Sequence, residues 1–240
     1  MSKLLGPVIV TGAAHGIGAS VALRLARGGA SVVVADIDEP AARQVFEQIV
    51  AMGTGSVSHA CDVRAYDEVE RLFSAAEDRL GPVRAVVIAA GVVEAGTLRS
   101  GDVAAWKAVL ETNVLGTAHV IRAALSRMAD RRDGHIVVIG STSGLETYVG
   151  EPMYCASKWA VTGLVDVLRK EAAPLGVRVT LIAPGLVDTR LSRSSPLGLD
   201  ELQRLEPLQP DDIARLVEFA LGQPDHVAIG QIVVRPRGEE

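Results

Sequence analysis

Short runs of aliphatic and β-branched residues alternate along this chain with longer stretches whose apolar positions recur every three or four residues. Seven such runs predict strands: Val8–Thr11, Ser31–Ala35, Val57–Cys61, Ala85–Ala89, His135–Gly140, Arg178–Ala183 and Gln231–Val234. Most are apolar almost throughout, with no polar alternation, as in strands covered on both faces of a parallel sheet. The intervening periodicity predicts helices over Ile17–Arg27, Pro40–Ala51, Tyr66–Leu80, Val103–Arg131, Met153–Leu175 and Asp211–Leu221. Repeated β-α units need right-handed crossovers, and a doubly wound α/β fold satisfies them. The expectation is a single domain over residues 1–240, with a seven-stranded, mostly parallel sheet and helices on both faces. One long irregular stretch, Asp188–Pro210, is expected to be a substrate-binding loop, because long loops in compact domains are commonly functional.

Composition narrows the function. The 240 residues are 48% hydrophobic but only 3% aromatic, so Ala, Val, Leu and Gly must fill the core. The formal net charge of −5 is scattered, without a basic block, which argues against a nucleic-acid or membrane-surface partner. No apolar stretch has the length of a membrane helix, and no signal-peptide pattern opens the chain, so a cytoplasmic location is expected. Cys61 and Cys155 stand alone, without metal-ligand or redox-motif spacing; both are expected to be reduced core residues, and no metal is expected. The mean hydropathy, +0.27, is high and points to a homo-oligomer that buries further helix faces.

The first strand runs into Thr11-Gly12-Ala13-Ala14-His15-Gly16-Ile17-Gly18, and a helical pattern follows at once. Glycines allow positive φ in such a turn and let a pyrophosphate approach the backbone, while the helix N-terminus offers unpaired N–H groups. Gly12, His15, Gly16, Ile17 and Gly18 are therefore candidate cofactor residues. Asp36 ends the second strand at the spacing expected of a ribose-binding carboxylate. It would accept from both ribose hydroxyls and repel a 2′-phosphate, and no Arg follows it, so NAD is expected over NADP.

Tyr154-Cys155-Ala156-Ser157-Lys158 lies in a helical pattern, where positions i and i+4 share a face. A free phenol ionises near ~10, and an ammonium beside it favours the phenolate, giving a usable acid–base pair. The strand before it ends at Gly140-Ser141-Thr142-Ser143-Gly144, and ligands of doubly wound sheets sit beyond the carboxyl ends of strands. Ser141 is thus placed to hold a carbonyl against Tyr154, with Thr142 and Ser143 as competing hydroxyls.

Taken together, these segments resemble the short-chain dehydrogenase/reductase family over nearly the whole chain. The likeness rests on the Thr11–Gly18 turn, Asp62-Val63, Asn113, Ser141, Tyr154-x-x-x-Lys158 and Pro184-Gly185-Leu186-Val187-Asp188-Thr189. It implies a Rossmann-type fold and NAD(P)(H)-dependent oxidoreduction of an alcohol or ketone. By the same resemblance, Tyr154 is the general acid or base, Lys158 tunes it and binds the nicotinamide ribose, and Ser141 orients the substrate oxygen. Asn113 would hold a water linking Lys158 to solvent. Asp62 would accept from the adenine amino group beside Val63, while Pro184, Gly185, Val187 and Thr189 would border the nicotinamide. Ala90 and Gly91 would line the cofactor, although the family's Asn-Asn-Ala-Gly is here Ile88-Ala89-Ala90-Gly91, without its bracing amides. The resemblance also implies a homodimer or homotetramer formed through the Val103–Arg131 and Met153–Leu175 helices.

Two other readings remain. One is a non-catalytic NAD(H)-binding regulator or scaffold, supported by the altered Ala89-Ala90; the other is an extended sugar-nucleotide epimerase, for which the chain is short. The Arg190–Gln209 segment mixes leucines with Arg190, Arg193 and Arg204, leaving both an apolar substrate and an acidic one bound by Arg190 or Arg193 open. Trp106 and Trp159 read as packing residues.

Overall fold

A computed structural model describes residues 6–239; residues 1–5 and 240, at the ends of the expected domain, lie outside the described residues. Seven strands form one sheet in the order β3-β2-β1-β4-β5-β6-β7. They span β1 Val8–Thr11, β2 Val32–Asp36, β3 Val57–Ala60, β4 Ala85–Ile88, β5 Gly134–Ile139, β6 Val177–Pro184 and β7 Gln231–Val234. Every adjacent pair is parallel, so the expected mostly parallel sheet is fully so. β1, β4 and β5 are buried along their whole length, which is why their sequences are apolar almost throughout, with Thr11 and His135 the polar exceptions.

Each face of the sheet carries its own core. On one face, α1 Gly16–Arg27, α2 Glu39–Val50 and α8 Pro210–Leu221 pack residues such as Val21, Ile49 and Ile213 against Val10 and Val34. On the other, α3 Tyr66–Leu80, α5 Thr117–Arg131 and α6 Pro152–Ala172 pack Phe73, Met128 and Val165 against Ile9, Val86 and Ile136. The strand order reverses at β1, whose neighbours are β2 and β4. That reversal opens a crevice at the carboxyl ends of the strands, the usual ligand position in such sheets.

Two expected elements differ. The single helix expected over Val103–Arg131 is divided into α4 Val103–Leu110, a π-helical turn Glu111–Gly116, and α5. Asn113 lies in that wider turn, which its side chain helps to hold, as described below. The stretch from Asp188 to Pro210 is not irregular throughout: a short 3-10 turn at Ser192–Ser194 precedes α7 Pro196–Arg204. A Ser195-Pro196 start explains α7, with Ser195 Oγ accepting from the Gly198 N–H at 3.0 Å and proline at the first helical position. The side chain of Leu197, counted in that stretch, lies outside the described residues. Cys61 and Cys155 are buried, free thiols.

Candidate active site

The crevice is a cleft of about 590 Å³ that runs from the glycine turn to α7. At its floor, Gly12 has φ +67° and Gly16 has φ +50°, conformations that L side chains rarely adopt. A Cβ on Gly12 would lie 2.6 Å from the Ala90 nitrogen, and one on Gly16 would lie 3.2 Å from Thr189 Cγ2. The turn therefore needs glycine for both conformation and space. His15 precedes α1 without capping it, since its Nε2 lies 3.0 Å from Asp38 Oδ2 instead. The N–H groups of Gly16, Ile17 and Gly18 thus open the helix uncapped and border the cleft, a cradle for pyrophosphate.

Asp36 is fixed at the adenosine end. Its Oδ2 accepts from the Ala14 N–H and its Oδ1 from the Asp38 N–H, both at 2.9 Å. The carboxylate is thereby held in one orientation on the lining of the cleft. Asp62 is less available: Arg64 donates to both of its oxygens, at 2.6–3.0 Å, and holds its carboxyl below the ordinary carboxylate range. Val63 is buried beside it. These residues fit a dinucleotide through a glycine cradle, an open helix N-terminus and a fixed carboxylate.

Tyr154 and Lys158 come from the first turns of α6 and are buried side by side, with Lys158 Nζ 5.6 Å from the phenol ring centroid. Lys158 Nζ also donates to the Ile139 carbonyl at 3.2 Å. The expected lowering of the Tyr154 pKa by Lys158 is not what this arrangement produces. Burial raises the phenol above its ordinary value, opposed by a hydrogen bond with Ser141, while burial lowers Lys158 to about 8. Desolvation outweighs the mutual attraction because both charged forms lose their water. Among the three hydroxyls after β5, Ser141 is the one that reaches Tyr154; its Oγ also accepts from the Ser143 N–H at 3.1 Å.

Asn113 is brought to the same wall, but its side chain is fully engaged. Its Oδ1 accepts from the Val92 N–H at 2.8 Å, and its Nδ2 donates to the Val92 carbonyl at 2.9 Å and to Ser157 Oγ at 3.0 Å. The amide therefore stitches the β4 exit to α6. These bonds brace the segment in which Ala89 and Ala90 replace the family's asparagines. A methyl on Gly91 would crowd Asn113 Oδ1 at 3.3 Å, so that glycine lets the Asn113 amide close on the β4 exit.

Pro184, Gly185, Val187 and Thr189 follow β6 along the opposite wall. Ser192 fixes this turn by donating to the Val187 carbonyl at 2.7 Å. Of the two arginines considered for an acidic substrate, Arg190 is among the residues that line the cleft. Arg193 is paired with both oxygens of Asp188, and Arg190 is exposed on the Asp38 side. Trp106 donates to Glu94 Oε2 at 3.0 Å and backs the turn at Gly101, while Trp159 is half exposed.

Sequence reasoning missed the carboxylates of the substrate end. Glu151, just before α6, is 9% exposed and accepts from Ser195 Oγ at 2.7 Å. Glu201 of α7 and Glu239 also line the cleft. No local signal was available for Glu151, which precedes α6 outside any motif. None was available for Glu201 and Glu239 either, which reach the cleft through tertiary packing alone.

The chain matches the short chain dehydrogenase family model over residues 7–199. It is 38% identical to an uncharacterized oxidoreductase of Staphylococcus saprophyticus, across 95% of this chain and 96% of that one. It is 35% identical to part of a glycine betaine reductase of Emericella nidulans, across 96% of this chain and 19% of that protein. Among solved structures, an actinorhodin polyketide ketoreductase variant with NADPH superposes with a TM-score of 0.88 at 30% identity, covering 98% of this chain and 97% of the other. Among the described residues, no helix is long and apolar enough to cross a membrane.

Proposed function

The chain belongs to the short-chain dehydrogenase family and is an oxidoreductase, and from that premise we infer that it interconverts a secondary alcohol and a ketone with NAD(H), using Tyr154 as the acid–base group. The single observation that carries this reading is the buried Tyr154–Lys158–Ser141 constellation at the mouth of a glycine-floored cleft. A bound nicotinamide supplies the two-electron hydride acceptor or donor. In oxidation, Ser141 orients the carbinol oxygen and Tyr154 takes its proton as the C–H bond gives up hydride, leaving the ketone. In reduction, the Tyr154 O–H returns that proton to the carbonyl oxygen. Lys158, held by the Ile139 carbonyl, stabilises the phenolate during the interval and borders the ribose position.

NAD is the favoured form because Asp36 is locked by two backbone donors at the ribose end, where a 2′-phosphate would meet its charge. The similar ketoreductase holds NADPH, so the preference belongs to this chain's own Asp36. Two of the relatives' names share reduction but no substrate, polyketide in one and glycine betaine in the other. The test is turnover by wild-type protein with NAD or NADP across a panel of secondary alcohols, and with the reduced cofactors across the matching ketones. Turnover with at least one pair, faster with NAD, is expected; cofactor binding without any turnover would instead favour a nucleotide-binding regulator.

A further inference from the structure

A buried carboxylate costs free energy unless a counter-charge or several donors compensate it. Glu151 has one such donor, the Ser195 hydroxyl at 2.7 Å on Oε1. Among the described residues, nothing donates to its Oε2 and no Lys, Arg or His forms an ion pair with it, although the side chain is nine-tenths buried and lines the cleft. Its surroundings add negative charge rather than remove it: burial raises the Glu151 pKa, and Glu94 raises it further. Glu201 is half-buried in the same end, raised by burial and by Glu239 and Glu151, with Arg204 opposing. Glu239 is compensated, by Arg235 at 3.3 Å and by the Leu186 N–H at 2.9 Å. Lys158 is the cation on the other side of Tyr154, and it is directed to the Ile139 carbonyl. Of the arginines that could meet an acidic substrate, Arg193 is committed to Asp188, and Arg190 lines the cleft at its Asp38 side, toward the adenosine end.

We propose that the substrate of this site is an amino alcohol or amino ketone whose positively charged ammonium group binds Glu151 Oε2 while its carbinol oxygen lies at Tyr154 and Ser141. Glu151 immediately precedes the first turn of α6, which carries Tyr154; both line the cleft and the Glu151 charge acts on the phenol, so a short molecule spans both groups. Glu151 also opposes ionisation of Tyr154, and an ammonium bound beside it cancels that opposition as the phenol gives up its proton. Ser195, by donating to Glu151 and capping α7, closes this end of the cleft around the cation.

The proposal rests on the alcohol–ketone reading of the same site, and the test separates the two. Three secondary alcohols with related carbinols form a charge series at neutral pH: isopropanolamine, with a protonated amine; sec-butanol, its uncharged isostere; and β-hydroxybutyrate, with a carboxylate. Steady-state kcat/KM with NAD and calorimetric binding to the protein–NADH complex are both measured. Isopropanolamine is expected to exceed sec-butanol by tenfold or more in kcat/KM or in affinity, with β-hydroxybutyrate weakest. Glu151→Gln, which keeps an acceptor for Ser195, is expected to bring the cation-to-neutral ratio close to one, and Glu201→Gln to lower it less. Equal or better use of sec-butanol, or a ratio unchanged in both variants, overturns the proposal. Preferential binding of the cation without turnover would uphold the ammonium site and remove the alcohol–ketone reading; turnover without charge preference would do the reverse.

Discussion

A phenol that must both hold and release a proton lies, in this protein, where water scarcely reaches it: Tyr154 is 9% exposed and Lys158 7%. Burial raises the first and lowers the second, so the resting site holds a neutral phenol beside a lysine that ionises at about 8. The sign of the pH dependence follows. Oxidation needs the phenolate, so its rate should climb with pH through the neutral and alkaline range, while reduction needs the O–H and should fall over the same range; opposite slopes in initial-rate profiles would bear this out. Lys158→Met removes the cation and should move the oxidation limb to higher pH. At the other end of the cleft, Asp36 decides the cofactor. The paired change Asp36→Ala and Ile37→Arg removes the charge that meets a 2′-phosphate and supplies one that binds it, and should shift the NADP/NAD ratio of kcat/KM by roughly two orders of magnitude, the worth of ~2–3 kcal/mol. An unchanged ratio would mean that Asp36 does not face the ribose.

At the scale of elements, polar side chains fix the joints between apolar strands and helices. Asn113 closes three hydrogen bonds between the π-helical turn, the β4 exit and α6, and Asn113→Ala should lower stability by ~2 kcal/mol, read from urea unfolding. His135 does similar work between β5 and β6. Thr180 Oγ1 donates to the Ile229 carbonyl at 2.7 Å, so the contact at 2.8 Å is His135 Nε2–H donating to Thr180, which leaves the buried Nδ1 bare. Burial lowers this imidazole from 6.5 to about 3, with Arg178 adding to the effect. Its folded-state value lies below its unfolded one, so its contribution is present above pH 6.5 and is lost as pH falls toward 3; by about pH 5 the loss is ~2 kcal/mol. Comparing unfolding free energies of wild type and His135→Leu at about pH 7 and pH 5 should show that extra acid sensitivity only in wild type. The strands and most helices were legible from periodicity, because β1, β4 and β5 are buried on both faces and spell this out residue by residue. The break at Glu111–Gly116 and the helix α7 were not, since one depends on Asn113 finding Val92 across the fold and the other on a two-residue start, Ser195-Pro196, within a loop-like composition.

For the whole molecule, one sheet reversal at β1 places the glycine turn, Asp36, Ser141 and the Tyr154 helix around a single cleft. Those residues carry local motifs, and the sequence pointed to them. The acidic substrate end carries none: Glu151, Glu201 and Glu239 come from a helix start, a loop helix and the chain end, and only the folded chain assembles them. The outer surface retains large apolar side chains, including Leu115 at 52% exposure and Val167 at 51%, on the helical segments expected to meet a second copy. Sedimentation should therefore give a homodimer or homotetramer, and a monomer at micromolar concentration would remove that expectation. The account as a whole turns on proton transfer at one oxygen, and the most direct measurement compares wild type with Tyr154→Phe for turnover and for NADH binding on the same preparations. Turnover is expected to fall by ~100- to ~10,000-fold while NADH affinity stays within a few-fold. Turnover left intact by loss of that hydroxyl would contradict it.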